Sequence, residues 1–209
     1  MKLLLIVLTW CSTLCTTLGA APFSHRLHLR MNLECAGCHT AAAHSTRIDD
    51  NLLPAKEVCL NCHRETEIQI PPPPVTRITS FSHAQHLKMG NVAPLLALAI
   101  DKKNYLQPAN EIRRHLNTRN PCVACHRGLE ESDHVTHAAL PQMADCLVCH
   151  SQIENPFSCE TCHGKNIESL KPADHTANFM DTHSAGNLHL DKAPCAVCHG
   201  RRFTCMGCH

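Results

Sequence analysis

Aromatic side chains are nearly missing from this chain, which has five Phe, one Tyr and one Trp in 209 residues. Regular apolar periodicity is scarce as well, so the polypeptide cannot build a wide core from its own side chains. Long apolar runs are also lacking. The stretch Leu3 to Leu8 and the segment LLALAI after Pro94 both fall far short of the roughly 20 residues that a spanning helix needs. Charge of one sign is missing too: 19 Lys and Arg stand against 18 Asp and Glu. With no basic stripe, nucleic-acid binding is excluded as a function class.

The first twenty residues have a basic start at Lys2, the short apolar stretch, and small residues at Gly19 and Ala20. This pattern predicts a secretory signal peptide over 1–20. Cleavage would remove Lys2 and leave a formally neutral polypeptide with no membrane span. Trp10 and Leu14 precede Cys11 and Cys15. Both are too bulky for the small residue expected before a lipidated cysteine.

Unpaired cysteine is the last absence. Beyond the leader every cysteine belongs to a Cys-x-x-Cys pair, and each pair is followed at once by histidine. The seven motifs hold Cys35, Cys38 and His39; Cys59, Cys62 and His63; Cys122, Cys125 and His126; Cys146, Cys149 and His150; Cys159, Cys162 and His163; Cys195, Cys198 and His199; and Cys205, Cys208 and His209. Random placement of this many Cys and His gives about 0.1 such motif. A disulfide needs no histidine after its second cysteine, and zinc does not need one beside every pair. A thioredoxin-like pair belongs to a strand–helix alternation that this sequence lacks. Cys-x-x-Cys-His is the attachment signature of c-type haem, in which two thiols add to the porphyrin vinyl groups and the adjacent imidazole ligates the iron. The expectation is seven covalent c-type haems.

Eleven histidines lie outside the motifs. FSHRLH at 23–28 carries His25 and His28, FSHAQH at 81–86 carries His83 and His86, and DHVTH at 133–137 carries His134 and His137. Histidines three apart on a helical turn share a face yet diverge enough to serve different irons. These six and His189, six residues before Cys195, are the expected distal ligands. His115, His175 and His183 are held in reserve, and His44 is the weakest candidate. The methionines bear no regular relation to the motifs, so bis-histidine, low-potential, low-spin haems are expected.

The expected fold is mainly irregular with short α-helices, wrapped around a haem core. The prolines within 71–80 mark a linker between an N-terminal two-haem module at 21–70 and a five-haem module at 81–209. A haem-free insert occupies about 90–121. Within it, Pro94 opens one short helix and Asn110 caps another.

Phe-Ser-His-x-x-His followed by Cys-x-x-Cys-His resembles the class III multihaem cytochromes c, the small periplasmic tri- and tetrahaem proteins and their paired-motif relatives. The resemblance implies that the two histidines of each pair, His25 with His28 and His83 with His86, ligate different haems. It points to a periplasmic or extracellular electron-transfer protein, not an enzyme, that meets redox partner proteins, other cytochromes among them. The alternatives are a multihaem reductase of nitrogen or sulfur oxyanions and a haem subunit of an outer-membrane electron conduit. Such a reductase needs an iron with an open sixth position, whereas every motif here ends in histidine.

Overall fold

The structure, a computed structural model, describes residues 23–63, 72, 75–153, 159–165, 167–173, 175–182 and 195–199. Residues 1–22, with the expected signal peptide, most of the proline run, His183, His189 and the last motif at 205–209 lie outside the described residues.

Among the described residues the chain folds into short helices joined by irregular segments, with no strand. In chain order the helices are α1 (His25–Leu29), α2 (Cys35–Cys38), α3 (Lys56–Leu60), α4 (His83–Lys88), α5 (Ala93–Asp101), α6 (Asn110–His115), α7 (Met143–Ile153), α8 (Glu160–His163), α9 (Phe179–Thr182) and α10 (Ala196–His199). Single 3-10 turns cover Thr40–Ala43, His137–Ala139 and Ile167–Leu170. Isolated helices this short are unstable in water, so tertiary contacts must hold them.

The two Phe-Ser-His repeats fold alike because their residues make the same local bonds. Ser24 caps α1 by accepting from the Leu27 N–H at 3.2 Å, and Ser82 caps α4 by accepting from the Gln85 N–H at 3.3 Å. Each cap is then gripped by the other half of the chain. Ser24 and Arg26 both donate to the Asp133 carboxylate. The Ser45 carbonyl accepts from the Ser82 hydroxyl at 3.3 Å and from the Ala84 N–H at 2.9 Å. Ser82→Ala removes both bonds of its hydroxyl and should cost about 1 kcal/mol, read as a lowered midpoint in thermal unfolding.

The polypeptide's own core is small and packs the segment 90–121 against the third and fourth motifs. Ala93 and Leu96 of α5 pack with Leu116 and Ala124, and Ile112 and Val148 close around them. Pro94 lies in the first turn of α5, as expected, because a missing N–H costs nothing there. The cap of α6 falls on Ala109 rather than Asn110, which is the first helical residue. No large side chain is completely buried among the described residues.

A buried ion pair joins the third and fourth motifs. The Arg127 guanidinium donates to both Asp145 carboxylate oxygens, at 3.1 and 2.6 Å, and to the Ala124 carbonyl at 2.6 Å. Asp145 also accepts from the Tyr105 hydroxyl at 2.8 Å and from the Gln142 N–H at 2.7 Å. Arg127 directly follows His126 and Asp145 directly precedes Cys146, so the pair fixes one motif against the next.

Candidate metal centres

Every described motif makes the same helical turn. The histidine N–H reaches back to the carbonyl of the first cysteine, at 2.8 Å for His39, 2.9 Å for His63, 2.8 Å for His126, 3.0 Å for His163 and 2.9 Å for His199. Two intervening residues are what this turn requires. It brings both sulfurs and the ring together, and the described cysteines are all free thiols.

The ring nitrogens are sorted by backbone carbonyls. His39 Nδ1 lies 2.7 Å from the Leu52 carbonyl, His126 Nδ1 lies 3.1 Å from that of Ala139, and His163 Nδ1 lies 3.1 Å from that of Arg77. In α1 and α4, His28 Nδ1 and His86 Nδ1 each lie 2.8 Å from the carbonyl of the capping serine. A carbonyl can only accept, so each of these Nδ1 atoms carries the proton. The Nε2 lone pair is left for a metal.

Five pairs of imidazoles face one another. Ring centroids are 6.1 Å apart for His25 and His39, 6.0 Å for His28 and His63, 6.3 Å for His83 and His126, 6.2 Å for His86 and His150, and 6.3 Å for His175 and His199. Metal–nitrogen bonds of about 2 Å on each side of one atom would set two ring centroids roughly 6 Å apart. In every pair one member belongs to a motif. The two histidines of α1 thus face two different motifs, and those of α4 do the same. Burial above all lowers the pKa of His25, His83 and His126, in His126 against the raising effect of its bond to the Ala139 carbonyl, and so favours neutral rings able to ligate.

Phenylalanine aims both pairs. Phe23 meets His25 edge-on at 4.9 Å and stacks on His28 at 4.4 Å, and Phe81 does the same to His83 and His86 at 4.8 and 4.4 Å. Phe179 stacks on His175 at 4.9 Å.

The structure brings other sequence candidates elsewhere. His134 and His137 are exposed and, among the described residues, face no motif imidazole. His44 is exposed as well. His115, seven residues before Cys122, turns instead to Glu130, with Nδ1 3.1 Å from its carboxylate. His175, a reserve in the sequence, faces His199; its one sequence signal is Phe179 four residues on.

The fifth motif is held by the strap before α4. The Cys162 carbonyl accepts from the Thr79 N–H at 2.7 Å and from the Thr79 hydroxyl at 3.1 Å. Gly164 follows with φ of +68°, and a Cβ there would come within 3.1 Å of Thr79 Oγ1. Both features favour glycine at that turn.

These residues fit covalent haem. Free thiol pairs stand beside metal-ready imidazoles, and apolar side chains next to them are left uncovered by polypeptide: Leu27 within α1, Leu60 within the second motif, and Met31 and Met89 just past α1 and α4. Among the described residues no helix is long and apolar enough to cross a membrane.

Residues 21–76 match the family model for cytochrome c7 and related cytochrome c, which covers just over a quarter of the chain. No curated protein and no solved structure matches it. The matched segment holds the first Phe-Ser-His repeat and the first two Cys-x-x-Cys-His motifs, and over these residues the chain is similar to the multihaem cytochromes c of the class III type.

Proposed function

We propose that this cytochrome carries seven covalent c-type haems in the periplasm, or outside the cell, and relays single electrons between redox partner proteins without catalysing a reaction of its own. The five facing imidazole pairs, each near 6 Å, carry this reading. On this reading the pairs that would hold one iron each are His25 with His39, His28 with His63, His83 with His126, His86 with His150, and His175 with His199. The irons at His163 and His209 draw on His134, His137 and His189. Residues 21–70 then hold two haems and residues 81–209 hold five.

Haem supplies the one-electron chemistry. The chain supplies two imidazoles per iron, which favours low potential, and fixes the rings of His28, His39, His86, His126 and His163 by carbonyl bonds to Nδ1. Haem propionates add negative charge to a neutral polypeptide, so partner surfaces should be basic and association should weaken with salt.

Electron paramagnetic resonance of the oxidised holoprotein tests the ligand assignment. Mostly low-spin ferric signals are expected, and mostly high-spin iron would refute it. His86→Ala should convert the iron at His150 alone to a high-spin form.

A further inference from the structure

The first and third motifs meet, although they stand 87 positions apart by the numbering of Cys35 and Cys122. The Cys35 and Cys122 thiols are neighbours. Asn120 binds both motifs at once. Its Nδ2 donates to Cys35 Sγ at 3.5 Å, and its Oδ1 accepts from the Cys122 N–H at 3.0 Å. Around this point His126 lies near His39 and His25. The junction is closed from both sides by the reciprocal caps, Asp133 on α1 and Ser45 on α4.

A thioether sulfur is bonded directly to the edge of its porphyrin substituent. With haem attached at both sites, neighbouring sulfurs would bring the edges of two porphyrins close to one another. Within each repeat a helix does the joining: α1 faces the motifs of His39 and His63, and α4 those of His126 and His150. The crossing from one repeat to the other falls at Cys35 and Cys122.

We propose that electrons pass between the two repeats through the haems attached at Cys35 and Cys122, and that Asn120 is the positioning residue that fixes this junction. The proposal rests on the electron-relay reading above. Each step moves one electron: the iron on one side is oxidised as its neighbour is reduced, and no bond is made or broken.

The test is a redox titration of the holoprotein followed by nuclear magnetic resonance, which resolves each haem, with covalent haem counted by intact mass. Asn120→Asp keeps the acceptor for the Cys122 N–H and puts a negative charge beside both sulfurs. The haems at 35–39 and 122–126 should shift together to lower potential, each by about tenfold in its reduction equilibrium, or ~59 mV, while the haem at 195–199 stays in place. A shift at only one of the two, or at neither, overturns the junction. His25→Met leaves Asn120 and both sulfurs intact. It raises the potential of the iron at His39, and reduction of that iron should make the one at His126 harder to reduce. An effect at His126 no larger than that at His199 also overturns the junction. A protein without covalent haem would instead overturn the relay reading itself.

Discussion

Asp145→Ala is expected to destabilise the holoprotein by about 3–5 kcal/mol, because it leaves the Arg127 guanidinium buried without its counter-charge. Both side chains of this pair are 4 % exposed. The same substitution removes the carboxylate that accepts from the Tyr105 hydroxyl, whose pKa burial and the Asp145 charge push well above the usual phenol range, so that it remains a donor throughout the working pH range. Denaturant unfolding followed by circular dichroism reads the loss as a lower midpoint. The paired replacement Arg127→Met with Asp145→Leu should cost far less than the single change, since no buried charge is left alone. If the single and the paired variants unfold together, the ion pair does not organise the third and fourth motifs.

Removal of an attachment site should have a larger effect. Cys122→Ala with Cys125→Ala takes away the anchor between His83 and His126, at the contact with Cys35. Where a site forms only in the folded chain, the binding free energy of its group is folding free energy, on the order of 10 kcal/mol. A small domain has only about 5–15 kcal/mol of stability in all. The variant should therefore lose α4 and the α1 contact to Asp133 together. Far-UV circular dichroism and proteolysis would show this as loss of helix and new cleavage within 75–139. An unchanged melting temperature with one haem fewer would show that the polypeptide core around Leu96 suffices.

The pH dependence of α1's anchor has a definite sign. Asp133 is held below the ordinary carboxylate range, first by the Ser24 hydroxyl and then by Arg26. A depressed folded-state pKa adds stability that is present above the unfolded value and fades as pH falls through the folded one. Asp133→Asn should flatten that acid limb, measured as melting temperature against pH, and leave the neutral plateau's slope unchanged.

The turn that each Cys-x-x-Cys-His motif makes was readable from spacing alone, because it closes within a single helical turn and needs no distant residue. The Phe-Ser-His-x-x-His repeats were readable for the same reason: the serine cap, the stacked phenylalanine and the carbonyl bond to Nδ1 are all local. Which motif each histidine would face was not readable. His28 is the nearer of its pair to Cys35, yet it faces His63, while His25 faces His39. His83 lies 43 positions before His126 by the same numbering, across an insert whose own packing closes that gap. Spacing to the next motif suggested a ligand at His115, but Glu130 holds it instead. The bond between Ser82 and Ser45 and the contact between Cys35 and Cys122 join the repeats without any trace in local spacing.

The central claim is that covalent porphyrin supplies the interior that this aromatic-poor polypeptide lacks. Intact mass of the purified, matured protein tests it most directly. The account predicts one haem increment for each of the seven motifs, with no free thiol left to alkylate. A colourless protein at the bare polypeptide mass that still unfolds cooperatively would contradict it.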